Sequence, residues 1–255
     1  MVLVLTIIGA IAPSLLLLRF FYKRDVFPEP RGVLLKTFCL GFLSVAPILA
    51  VVFALRSFST PPEHPVLGGL FIALMYAAIP EEFFKFCIVT GYSARNPAFD
   101  EPMDGVVYGA TASLGFATLE NILYVSGGGW TVAIVRAFSA VPAHACLGAI
   151  LGYYVGQARF HPERRTSAWL GLLAATGLHG LYNFPLLAFH RINEYGLIDS
   201  YLDDHLLEVA GLLLLFVVTL SVMVVWTLRI VLQLRKTQLQ VHEVEIAFTE
   251  DPEQE

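Results

Sequence analysis

Charge is what this 255-residue chain has least of, with only 15% of its residues Asp, Glu, Lys or Arg. With 56% apolar residues and a mean hydropathy of +0.68, the chain lies outside the range of soluble globular domains. Its 16 basic residues form no basic aromatic surface, which excludes a nucleic-acid partner. Cysteine is equally sparse. Cys39, Cys87 and Cys146 all fall in apolar stretches, so a structural disulfide is not expected. There is no H-E-x-x-H zinc signature and no G-x-S-x-G nucleophile elbow. The only aspartate at the edge of an apolar run is Asp104, which counts against an aspartyl dyad. Internal repeats and low-complexity segments are also missing.

What the chain does have is apolar runs, near residues 1–22, 33–55, 66–92, 103–126, 129–158, 167–190 and 206–233. Each is close to the ~20 residues that ~30 Å of hydrocarbon requires of a helix. The expectation is an all-α, polytopic membrane protein of seven transmembrane helices. The first run lacks a positive n-region and a small-residue cleavage pattern, so it reads as a retained helix rather than a signal peptide. Basic residues orient the bundle. If the N-terminus is outside, the inner loops and flanks hold Arg19, Lys23, Arg24, Arg31, Lys36, Arg95, Arg159, Arg164, Arg165, Arg229, Arg235 and Lys236, and the outer ones only Arg56 and Arg191. That asymmetry predicts an N-out, C-in topology. Residues 1–233 then form one membrane domain, and 234–255 an acidic cytosolic tail expected to be solvated and poorly ordered.

The few polar residues inside the runs are the informative ones, because a charge at mid-bilayer costs ~2.5–3.5 kcal/mol even on insertion scales. They are Glu81, Glu82 and Lys85 in the third run and Glu120 and Asn121 in the fourth. Arg136 and His144 fall in the fifth run, His179 and Asn183 in the sixth. At ~1.5 Å per residue, Glu81, His144 and His179 all lie within about 3 Å of the centres of their spans. Three titratable groups on three helices thus share one level. His179 and Asn183 are i,i+4 and share a face, as do His144, Gly148 and Gly152, whose glycines permit close helix approach. Pro80 favours a helix irregularity just before Glu81. Lys85 stands within ion-pair reach of both glutamates, which point ~100° apart, so one can face the chemistry while the other pairs with the lysine. Arg136 reads as a structural residue near the outer end of its helix, able to snorkel.

A carboxylate, two imidazoles and a carboxamide enclosed in a membrane suit hydrolysis. Glu81 or Glu82 takes a proton from water. His144 and His179 polarise the water or hold a metal, zinc being the candidate, and a metal-free glutamate mechanism remains open. Asn183 donates to the oxyanion. The alternative is a proton-coupled transporter or channel using the same Glu, His and Lys set as a relay, and the missing repeat halves count against it.

The motifs "FYKRDVFPEPRG", "IPEEFFK", "GFATLENILY", "VPAHACLGAILGYYVG" and "GLHGLYNF", in this order, resemble the PrsW family of intramembrane proteases, related to the type II CAAX prenyl proteases. The resemblance implies a multi-pass endopeptidase of the bacterial plasma membrane that cuts membrane-anchored proteins, anti-sigma factors among them. It implies that the paired glutamates are Glu81 and Glu82, the preceding histidine His144, and the later histidine motif His179 with Asn183. The wider group's EExxxR is replaced by Glu81-Glu82-x-x-Lys85 and its FxxxH by Phe116-x-x-x-Glu120, which leaves Lys85, Glu120 and Asn121 as supporting residues.

Overall fold

In hydrocarbon every backbone polar group must be satisfied within its own segment, so runs of this composition become helices. The structure, a computed structural model, describes residues 2–197, 201 and 203–250, and among these there is no strand. The helices are α1 (Val2–Arg24), α2 (Arg31–Leu43), α3 (Val45–Phe58), α4 (Pro65–Phe71), α5 (Ile79–Gly91), α6 (Pro102–Phe138), α7 (Ala140–Phe160), α8 (Ser167–Glu194) and α9 (Leu206–Glu250). Residues Ile72–Ala78, wound as a π-helix, join α4 to α5.

Among the described residues five stretches are long and apolar enough to cross a membrane: Arg31–Phe58, Pro65–Arg95, Pro102–Phe160, Ser167–Glu194 and Leu206–Val244. The sequence reading expects seven, and the difference lies partly in how its runs join. The fourth and fifth runs merge into Pro102–Phe160, 59 residues, which would be ~90 Å long if straight and instead folds back on itself. Gly129 supplies the bend at φ 66°, ψ −155°, a backbone conformation that glycine adopts without strain. Ser139 then separates α6 from α7. The expected boundary at 127–128 thus coincides with the break at Gly129, and a second break at Ser139 separates Arg136 from the helix that carries His144.

α6 is the centre of the molecule. Its residues 103–118 are buried on every side, as expected of a helix ringed by other helices. Its contact with α7 is made backbone to backbone. A Cβ on Gly109 would stand 2.1 Å from the carbonyl oxygen of Gly148, and one on Gly152 would stand 1.8 Å from that of Gly105. The pairing of 105 with 152 and 109 with 148 makes the two helices antiparallel. Tyr108, Leu114, Leu147, Ile150 and Leu151, all fully buried, fill the space around this seam.

The helix preceding the C-terminus runs into the segment expected to be a solvated tail, and most of its described residues beyond 235 are exposed. α9 continues to Glu250, and residues 251–255 lie outside the described residues. Gln238 gives this part of α9 a reason to stay in place. Its side chain is buried, donates 2.7 Å to Asp25 Oδ1, and accepts 3.2 Å from the Val26 backbone N–H.

Candidate active site

The site is built on α5, whose start is shaped by its sequence. Pro80 has no N–H to give to the carbonyl four residues back, and the preceding turn is the π-helical Ile72–Ala78. Directly after it, α5 places Glu81, Glu82 and Lys85 in the interior, all buried.

The two glutamates divide as their ~100° separation requires. Glu82 turns into the protein. Its Oε1 accepts from Lys85 Nζ at 2.7 Å and lies 2.8 Å from His179 Nδ1. Glu81 turns towards a cavity of about 400 Å³ and helps to line it together with Glu120, His144 and Asn183. Its Oε2 is 3.5 Å from Lys85 Nζ and 3.9 Å from His179 Nε2, is buried, and has no hydrogen-bond partner.

The histidine tautomers follow from the network. A carboxylate can only accept, so His179 donates from Nδ1 to Glu82 and is left with an acceptor Nε2. Asn183, one turn on, donates to that nitrogen at 3.0 Å. Lysine can only donate, so His144 Nδ1 accepts from Lys85 Nζ at 3.1 Å. Its Nε2 then donates to Glu120 Oε2, also at 3.1 Å. The two imidazoles meet edge to face, centroids 5.2 Å apart. Phe116 closes the floor, with Lys85 Nζ 4.3 Å from its ring centre and His144 against its edge.

The structure thus brings Glu81, Glu82, His144, His179 and Asn183 together, with Lys85 and Glu120 bonded directly into the group. Asn121 stands one step back. It donates to the Ala10 carbonyl of α1 at 2.7 Å and accepts from Arg136 Nε at 2.8 Å. Arg136 has the structural role read from sequence, in a different geometry. It does not snorkel away but turns inward to Glu120 Oε2 at 2.5 Å, because the bend at Gly129 carries the end of α6 back along its own flank. Charge balance could have found it, since a buried Glu120 needs a cation and Lys85 is already held by Glu82. The cavity-lining Tyr182 was also missed, being aromatic in an apolar context.

One ligand atom each from Glu81, Glu82, His144 and His179 lies within 4.8 Å of all the others. These nitrogen and oxygen donors are of the kind that hold zinc, and Glu81 Oε2 and Glu82 Oε2 are both buried without a partner. The residues therefore fit a metal ion. For all four to ligate it, the Lys85 ammonium would have to leave its place among them.

An all-helical membrane protein with a buried carboxylate–imidazole cluster opening on a mid-span cavity belongs to the class of intramembrane hydrolases. Comparison with known proteins is more specific. Residues 29–226 match the PrsW family of intramembrane metalloproteases, and the chain belongs to that family. It is 40% identical to Protease PrsW of Geobacillus kaustophilus over 189 residues, 73% of this chain and 82% of the relative. Identity to Protease PrsW of Bacillus subtilis is also 40%, over 183 residues, 71% of this chain and 82% of the other. The Clostridioides difficile protein of that name is 30% identical over 191 residues, 71% of this chain and 79% of its own length. No solved structure gives a significant match. The chain is an intramembrane protease and a multi-pass bacterial membrane protein, and family membership disfavours the transporter reading.

Proposed function

We propose that the chain hydrolyses a peptide bond of a membrane-anchored protein, of the anti-sigma-factor kind that the family resemblance implies, with Glu81 as the general base. The observation that carries this reading is the pairing of Glu81, which lines the cavity, with the buried His179, Glu81 Oε2 and His179 Nε2 being 3.9 Å apart. One water donating to Glu81 Oε2 at about 2.8 Å fits such a gap, and it donates to His179 Nε2 as well once the Asn183 amide turns off that nitrogen. Glu81 takes its proton as the oxygen attacks the scissile carbonyl, then passes the proton to the leaving amine. Glu82 holds His179 in the tautomer that keeps Nε2 facing the water, a role that needs no contact with substrate. Asn183, its amide released from His179 as the water binds, donates to the developing oxyanion. His144, tied to Lys85 and Glu120, holds the opposite wall. A zinc ion, where bound, would be held by His144 and His179 with the glutamates and would supply Lewis-acid polarisation of the carbonyl.

The substrate arrives laterally. Leu49 of α3, Leu123 and Tyr124 of α6 and Leu186 of α8 line the cavity and are also exposed on the apolar surface. A mouth of that composition admits a lipid-embedded segment more readily than a soluble peptide. The seven-span, N-out and C-in arrangement belongs to the same proposal, with α1 and the two arms of the α6–α7 hairpin each counted as a span.

The test is cleavage of a single-pass substrate in proteoliposomes. Glu81→Gln is expected to lower the rate by ~10²–10⁴-fold, the usual weight of a general base, with unchanged helicity and elution volume. Retention of more than a tenth of the activity would remove Glu81 from the role. For the metal, elemental analysis is expected to find one zinc per chain that His179→Ala loses. Full activity in exhaustively chelated, metal-free protein would leave the glutamate to act alone.

A further inference from the structure

A second group of acids lies far from the cavity. Asp104 is 16 residues from Glu120 along α6, or ~24 Å, at the end where the α1–α2 connection crosses. There Asp25, Glu29 and Asp104 are buried, with one carboxylate oxygen from each within 4.8 Å of the others. Glu101 completes the group. It starts α6 in a capping box with Asp104, and it accepts from Gln238 of α9.

These acids lack counter-charges. Among the described residues no lysine, arginine or histidine forms an ion pair with any of the four. Neutral donors occupy one oxygen of each of the three. Asp104 Oδ2 accepts from the Asp100 and Glu101 backbone N–H groups, both at 2.7 Å. Asp25 Oδ1 accepts from Gln238 at 2.7 Å and from Phe27 N at 3.1 Å, and Glu29 Oε2 from the Tyr108 hydroxyl. The other oxygens of the two aspartates, Asp25 Oδ2 and Asp104 Oδ1, are buried with no hydrogen-bond donor, and Asp104 stands within hydrogen-bond reach of the Glu29 carboxyl. Carboxylates buried in contact need either a shared proton or a cation between them.

We propose that Asp25, Glu29 and Asp104 bind a hard divalent cation that clamps the α1–α2 connection to the start of α6. The donors are all oxygen, which suits Ca²⁺, Mg²⁺ or Mn²⁺ and not the softer ions that imidazoles attract. Oxygens up to 4.8 Å apart can share one ion at about 2.3–2.6 Å from each. Gln238 orients Asp25 from outside the ligand set, so α9 is coupled to the ion without touching it. The proposal does not depend on the protease chemistry, since no residue is shared.

Protein stripped with EDTA is titrated with Mn²⁺, and free Mn²⁺ is read from its electron paramagnetic resonance signal. The expected result is saturable binding that Mg²⁺ or Ca²⁺ displaces and that survives His179→Ala. Asp25→Asn and Glu29→Gln should each abolish it, and Gln238→Ala should weaken it ~10-fold, the scale of a lost outer-shell partner. Wild-type protein gives a readout independent of variant folding: Mn²⁺ should slow amide exchange at residues 25–30 and 100–105. Binding that His179→Ala removes and Asp25→Asn leaves intact overturns the assignment. So does an absence of saturable binding, or exchange in those two segments that ignores the ion.

Discussion

Glu81 and Glu82 are neighbours with the same side chain, and the structure gives them different work. Glu82 neutralises a fully buried lysine and fixes an imidazole, whereas Glu81 lines the cavity. Removing one partner of a buried ion pair strands the other charge, at a cost of ~3–5 kcal/mol. Glu82→Gln is therefore expected to lower unfolding stability by about 3 kcal/mol and to lower activity as well, while Glu81→Gln lowers activity and leaves stability nearly unchanged. Chemical denaturation of both variants in detergent tests the division of labour, and a Glu81→Gln protein less stable than Glu82→Gln refutes it. Depth and spacing made the cluster legible in the sequence. They could not say which glutamate faces the cavity, because that depends on where α8 delivers His179. Arg136 was illegible for a related reason: its partner Glu120 becomes a neighbour only through the bend at Gly129, and nothing in the local pattern marks that glycine apart from Gly127 and Gly128.

At the scale of helices, the α6–α7 seam carries the sharpest constraint. The second half of it, Gly148 and Gly152, was readable as an i,i+4 stripe beside His144. The answering pair, Gly105 and Gly109, gained meaning only once the antiparallel register set each opposite its partner. Because the atom facing each missing Cβ is a backbone oxygen, no rotamer change can make room. Gly109→Ala is expected to destabilise the protein by at least ~1–3 kcal/mol, the range for overpacking. Gly177→Ala is the control, since a Cβ there meets nothing within 4 Å and mid-helix alanine is favoured over glycine by roughly 0.5–1 kcal/mol. Thermal unfolding of the two variants should shift in opposite directions. The length of α9 was the least readable element. Acidic residues near the C-terminus suggested a solvated end, whereas the buried Gln238 ties the helix to Asp25 and Glu101.

For the whole molecule, membrane orientation rests on the distribution of lysine and arginine, and it can be measured. After Cys39→Ser and Cys87→Ser remove the exposed thiols, a single cysteine at Glu63 is expected to react with an impermeant maleimide in intact cells. One at Glu163 should react only after the membrane is opened. The reverse pattern would invert the bundle while leaving the interior of the site unchanged. All-helical architecture and membrane residence could be read from apolar runs alone, since composition and length decide them. How the runs are joined could not, because a 59-residue apolar stretch looks much the same whether it is one helix or a hairpin. The glycine seam also divides the molecule into a part that stays and a part that yields. Two helices touching through their main chains cannot slide or spread without losing contact along their whole length, so the wall carrying Glu120 and His144 is the anvil. The opposite wall leans on a small patch of side chains, Val45 and Ile48 against Phe116. On the proposed lateral route, a lipid-embedded chain bound for Glu81 would have to push α3 aside, and a molecule wedged beneath α3 would be expected to slow proteolysis without approaching the reacting groups.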